Sequence, residues 1–196
     1  MKYAWTIVLL TALICGCART STMSLVAGDP AATGRTLGRT VVLTWFAFEE
    51  KDKAGQDKAA RLRTLVLARL RALPGITPVD DGPFVAALGA RSWRNASDME
   101  LAAAARAVGV DSVAVVEVAS LGGKLHISLP PSWTVETSFA YRARLLDVPS
   151  GSLILSAMRG RDVDQPFAMR GREALYQDFE ADLAELTQSL AQKTDK

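Results

Sequence analysis

The chain has 196 residues, 49% of them hydrophobic and 22% charged, with 23 basic and 21 acidic side chains, one histidine and a formal net charge of +2. Basic and acidic residues are interleaved without a Lys/Arg block, which excludes the electrostatic footprint of a nucleic-acid binder. The length suits a single domain able to bury roughly 70% of its unfolded surface, so a stable core needs no disulfide or metal staple.

The first residues read as an export signal. Lys2 is followed by an almost wholly apolar run from Tyr3 to Ile14, broken only by Thr6 and Thr11. Such a run fits the roughly 7–15 residues of a signal core and falls short of the roughly 20 that span a bilayer. Its end, Ile14-Cys15-Gly16-Cys17, resembles the lipobox of bacterial lipoproteins: an aliphatic residue, two small ones, then the modified cysteine. The resemblance implies a signal peptide over 1–16, cleavage between Gly16 and Cys17, and a covalent N-acyl diacylglycerol on Cys17, with no other cofactor. Cys15 is the poorer acceptor because bulky Ile14 precedes it; an ordinary cleaved signal with an incidental cysteine is the alternative. In that family an Asp after the cysteine marks inner-membrane retention, so Ala18 implies anchoring to the periplasmic face of the outer membrane. Two or three acyl chains, each contributing about 0.8 kcal/mol per buried methylene, hold a protein far better than one. With Cys15 removed and Cys17 acylated, the mature chain keeps no thiol for a disulfide, a metal or a nucleophile.

Residues 17–39 are rich in Ser, Thr, Ala and Gly and read as a lipidated flexible tether, leaving a single domain over 40–193. Gly34 to Thr40 fails as a phosphate loop, because its glycines are too close and Arg39 stands where a lysine belongs. Thr40 to Phe48 is β-branched and aromatic, a buried strand. Glu49 to Gln56 is charged and reads as a loop. Asp57 to Leu73 is a helix with Leu62, Val66, Leu70 and Leu73 on one stripe, widened by Leu65, and Arg61, Arg63, Arg69 and Arg71 mostly on the solvated face. Those arginines are alternatively a patch for lipid head groups. Pro74-Gly75 stops the helix.

Ile76 to Val79 is a short strand whose Pro78 marks an edge. Asp80-Asp81-Gly82-Pro83 reads as a turn and cap before a short helix over 84–90, with a cation site as the sharper alternative. Ser97-Asp98-Met99-Glu100 is a capping box opening an Ala-rich helix to Val108, which Gly109 ends. Ser112 to Val118 is apolar on both sides and so a central strand. Gly122-Gly123 turns the chain into strands over 124–129 and 134–147, the second alternating with period two from Val135 to Leu145. Between them Pro130, Pro131 and Trp133 form a rigid tip. Trp133 has two readings: insertion into a membrane interface or a partner, or folding back on the sheet. Pro149-Ser150-Gly151 turns into a hairpin strand at Leu153 to Ser156. Arg159 to Gly171 reads as a long polar loop. Glu173 to Gln192 closes the chain as an amphipathic helix with Leu175, Phe179, Leu183, Leu186 and Leu190 on one face, docked on the core or serving a subunit contact.

Chemistry-bearing clusters are sparse. His126 lies in a strand without the Gly-x-Ser-x-Gly elbow that would present a serine to it. No His/Glu spacing suits a metal. Asp162 and Asp164 share a face only if their segment is extended, and it reads as loop. The expectation is therefore a protein that is not an enzyme.

The order of elements and two short signatures carry a resemblance. These are Ala107-Val108-Gly109-Val110-Asp111-Ser112-Val113, a helix stepping through Gly-Val-Asp into a central strand, and Arg144-Leu145-Leu146-Asp147 turning through Ser150-Gly151 into Leu153-Ile154. Together they resemble the superfamily of the curli-export lipoprotein, the penicillin-binding-protein activator lipoprotein, the Pel polysaccharide lipoprotein and the amino-terminal domain of the Tol propeller protein. The resemblance covers roughly residues 40 to 193. It implies an α/β (α+β) sandwich with helices packed on a mixed, mainly antiparallel sheet, and no active site. It further implies work through other envelope proteins, with self-assembly into rings in some members and action as monomers in others. The chain departs from curli export in having no long apolar-alternating segment for a barrel, and from the synthase activator in having no long Pro-rich tether. It shares the lipobox and closing helix with the auxiliary lipoproteins of lipid-transport systems, which makes lipid or glycan binding the alternative function.

Overall fold

A computed structural model describes residues 19–28, 37–128, 132–166 and 171–194. The strands are β1 (Arg19–Ala27), β2 (Gly38–Phe46), β3 (Ile76–Val79), β4 (Ser112–Ser128), β5 (Ser132–Asp147) and β6 (Ser152–Pro166). The helices are α1 (Lys53–Arg71), α2 (Gly82–Leu88), α3 (Asp98–Ala107) and α4 (Arg172–Thr194), with a single 3-10 turn at Trp93–Asn95. The strands form one mixed sheet in the order β1-β6-β5-β4-β2-β3. β2 runs parallel to β3 and β4, and the other pairings are antiparallel.

Strand alternation assigns the two sheet faces to two cores. On β2, Val41 and Leu43 join Phe84 of α2 and Leu101, Ala102 and Ala105 of α3. Phe46, with Val42 packed beside it, joins Leu62, Val66 and Leu70 of α1 and Phe179, Leu183 and Leu186 of α4. Leu62, Val66, Leu70 and Leu73 of the first stripe and Leu175, Phe179, Leu183 and Leu186 of the last are buried, and the closing helix docks on the sheet.

Local chemistry sets the helix boundaries. Asp52 caps α1 by accepting from the Gly55 N–H at 2.7 Å, so the helix starts earlier than the charge of 49–56 suggested. Gly55 is required there, because a Cβ would collide with the Phe48 carbonyl. At α3 the capping box is complete: the Ser97 hydroxyl accepts from the Glu100 N–H, and Glu100 accepts from the Ser97 N–H at 2.8 Å. That backbone bond holds the Glu100 carboxyl below its ordinary value. A depressed carboxyl pKa stabilises the fold above the unfolded value and is lost as pH falls through the folded one, so acid loosens this cap. Ser97→Ala is expected to cost about 1 kcal/mol in urea unfolding at neutral pH. Gly109, at φ +66°, ends the helix and lets the Val110 N–H reach back to the Ala105 carbonyl at 3.0 Å. Asp81 occupies the cap position of α2 but makes no side-chain cap bond.

Three expectations are corrected. Part of the expected tether, Arg19–Ala27, is a strand hydrogen-bonded along β6. It carried no alternation to read because residues 20–28 are exposed on both sides. Gly122 and Gly123 do not turn the chain: β4 runs through them, pairing Gly122 with Ser138 and Gly123 with Thr137, after an irregularity between Val118 and Ser120. The expected loop from Arg159 is instead the second half of β6, as far as Pro166. It is held between β5 and β1, so its polar residues sit in an interior strand. The α1 arginines lie on the solvated face, as expected, and three of them make surface ion pairs there. Arg61 and Arg69 pair with Glu173 and Glu180 of α4, and Arg63 pairs with Glu49.

Candidate interaction surfaces

β2 leaves the sheet at Phe46, opposite Val118. β4, β5, β6 and β1 continue past that point as a four-stranded arm. The α1–α4 layer ends near Leu121, whose carbonyl accepts from Lys58 Nζ at 3.2 Å. Along the same face the exposure climbs from 5% at Leu121 to 61% at Leu125 and 77% at Ile127. Leu125 lies opposite half-buried Val135, and Ile127 opposite Trp133, in the β4–β5 register. The opposite face of the arm carries Lys124, His126, Glu136, Asp162 and Asp164. The β4–β5 half of the arm is therefore amphipathic, and its apolar side extends beyond the helices.

The outer edge, β1, is open. It is uncharged from Thr20 to Ala27 and contains no proline. Met23 and Leu25 are 55% and 66% exposed. An edge of this kind offers unpaired backbone groups to another strand. At the other edge β3 has four residues and carries Pro78, which blunts it.

Polar groups in the body are tied into structural pairs. Under α4, Tyr141 donates to Asp182 at 2.6 Å, and Arg159 reaches Asp182 at 3.4 Å and Glu185 at 3.3 Å. Burial, reinforced by Asp182, pushes the Tyr141 phenol well above its ordinary value. On the other face Arg144 pairs with Asp98 at 2.8 Å, tying the sheet to the first turn of α3. A depression of about 310 Å³ lies between α1 and β3, lined by Val42, Leu67 and Pro78 but also by Arg63, Arg71, Asp80 and Asp81.

The sequence-derived site residues fall as follows. Gly16 and Cys17 lie outside the described residues, as do Pro130 and Pro131. Trp133 is placed by its backbone at the start of β5, at the end of the arm. His126 stands on the exposed charged face with Nε2 2.9 Å from Glu136 Oε2, not in a cleft. Asp162 and Asp164, read as loop residues, do share a face because β6 is extended there, and both are exposed. Among the described residues no group of three or more His, Cys, Asp or Glu side chains is placed to hold a metal. None of the described helices is long and apolar enough to cross a membrane. Sequence reasoning missed Leu125 and Ile127; the signal was their alternation with Lys124 and His126, which the Gly122-Gly123 pair disguised as the start of a hairpin.

No family model and no curated protein matches the chain. Among solved structures it is similar to the PelC dodecamer of Paraburkholderia phytofirmans, at 15% identity and a TM-score of 0.43, covering 88% of this chain and 98% of that one. It is similar to lipoprotein GNA1162 of Neisseria meningitidis at 14% identity and a TM-score of 0.41, covering 77% of this chain and 99% of that one. It is also similar to the LpoB C-terminal domain of Escherichia coli at 16% identity and a TM-score of 0.36, covering 66% of this chain and 87% of that one.

Proposed function

We propose that the chain is a non-catalytic, periplasm-facing lipoprotein, held by acyl chains on Cys17, that acts through protein–protein contacts in envelope assembly, export or maintenance. One observation carries this: the lipobox runs, after a single intervening residue, into β1, the open and uncharged edge of the sheet. A domain anchored at such an edge presents backbone hydrogen-bonding groups to an extended segment of another protein, the strand-addition mode of recognition. The largely buried charged groups Arg144, Asp182 and Arg159 serve this reading too, because they tie helices to the sheet. The depression beside β3 is lined by charge, which favours this function over binding an acyl chain.

The test is photo-crosslinking in cells from position 23 on β1, with position 99 on α3 as the control, since Met99 is 80% exposed. A defined adduct from 23 and none from 99 is expected. Adducts of equal yield at both positions would overturn the assignment of β1 as the binding edge. Light scattering on residues 18–196, and on the acylated chain in detergent, separates a ring from a monomeric adaptor. A large uniform assembly would make the partner a second copy.

A further inference from the structure

We propose that the apolar end of the arm, Leu125 and Ile127 beside Val135, seats in the interfacial layer of the same bilayer that holds the Cys17 acyl chains, so that the domain is docked on the membrane rather than swinging from it. This rests on the acylation of Cys17 proposed above. Register supplies the geometry. Arg19 of β1 lies opposite Asp164 of β6, Asp164 opposite Glu136 of β5, and Glu136 opposite Lys124 of β4. Arg19 and Leu125 therefore stand at the same end of the arm, about 14 Å apart across three inter-strand spacings of about 4.8 Å. Cys17 is two residues upstream of Arg19, and two residues reach at most about 7 Å. An acyl chain on Cys17 therefore brings the membrane to this end of the arm.

The side chains found there suit that surface. Ile127 lies roughly 20 Å beyond Leu121, measured at about 3.3 Å per residue, and so clear of the helical layer. Leu125, Ile127 and Val135 make the β4–β5 half of that face apolar, while Lys124, His126 and Glu136 on the other face keep contact with water. Interfacial amphipathic elements bury their apolar side about 5–10 Å into the head-group boundary. Water would otherwise cover Leu125 and Ile127 at a cost of about 25 cal/mol per Å² of apolar surface. The bilayer supplies the cover without requiring a partner.

The full chain, produced with its signal and reconstituted in phosphatidylethanolamine–phosphatidylglycerol vesicles, tests this. In the acylated chain an introduced cysteine is the single free thiol, so Ile127→Cys and, as a control on α2, Val85→Cys take a bimane label specifically. Lipids brominated along the acyl chain are expected to quench the label at 127 about threefold more than at 85, as insertion of the apolar face requires. Equal quenching at the two positions, on a chain whose mass shows the lipid on Cys17, overturns docking and leaves the anchor standing. A chain without lipid on Cys17 overturns both. A label at 127 that is shielded from aqueous iodide yet untouched by brominated lipid assigns the patch to a second copy or a protein partner, and also overturns the proposal.

Discussion

Replacing Phe179 by alanine is expected to lower the free energy of unfolding by about 4 kcal/mol, within the roughly 3–5 kcal/mol typical of a buried Phe→Ala change. Phe179 is fully buried on α4. Its ring meets Phe139 edge-on at 5.8 Å and 85°, and Tyr141 at 5.3 Å and 69°. Such pairs add about 0.5–1.5 kcal/mol each beyond the area they bury. The lost ring also lies where α4 crosses the sheet, between the buried side chains of Leu175 and Tyr176 on one turn and Leu183 and Leu186 on the next. Set against the roughly 5–15 kcal/mol that stabilises most domains, the change removes about a quarter of the total or more. Urea unfolding checks it, with Met99→Ala on an exposed site expected to stay within about 0.5 kcal/mol of the parent. A loss below about 1.5 kcal/mol for Phe179→Ala would mean that α4 is not docked by this ring.

The body of the fold was legible because its elements are amphipathic in the ordinary sense. Leu62, Val66 and Leu70 recur at helical spacing and are buried, and Phe139, Tyr141, Ala143 and Leu145 alternate along β5 and are buried. The capping box at Ser97 and Glu100 needs only two residues at a fixed offset, so it could be read directly. The arm was not legible, for a related reason. β1 is exposed on both faces and leaves no pattern. β6 is polar where it is interior, because Arg159 reaches under α4 to a carboxylate that the sequence places 23 residues away. At Gly123 the strand passes close to its neighbour, and a Cβ there would stand 3.2 Å from the Glu136 carbonyl oxygen, whereas Gly122 faces open space. Paired glycines signal a turn when local geometry demands them and a close strand crossing when a neighbour does; one chain cannot distinguish these. The interaction surfaces follow suit: the anchor is spelled out in Ile14 to Cys17, whereas Leu125 and Ile127 gain meaning only from the register that brings β1 to their end of the sheet.

Replacing Asp182 by alanine is expected to cost about 3 kcal/mol, because breaking a buried pair leaves its partner uncompensated. Asp182 accepts from the Tyr141 hydroxyl on one oxygen and from Arg159 on the other. The Arg159 side chain is 10% exposed, and its remaining carboxylate, Glu185, is 73% exposed and too well solvated to replace Asp182. Asp182→Asn keeps an acceptor for the hydroxyl while removing the charge, and should fall between the parent and the alanine variant. The same network sets an alkaline limit. Burial, and then Asp182, raise the Tyr141 phenol above its ordinary value, so the folded chain keeps a proton that the unfolded chain releases above about pH 10. Where the unfolded state binds fewer protons, stability falls as pH rises. The contribution is therefore intact below about pH 10 and is lost progressively above it. Tyr141→Phe, expected to cost about 1 kcal/mol at neutral pH through the lost hydrogen bond, should flatten that alkaline fall relative to the parent. Urea titrations of the two proteins at neutral pH and above pH 10 measure the difference; parallel pH dependences would show that Tyr141 is not held neutral by the fold.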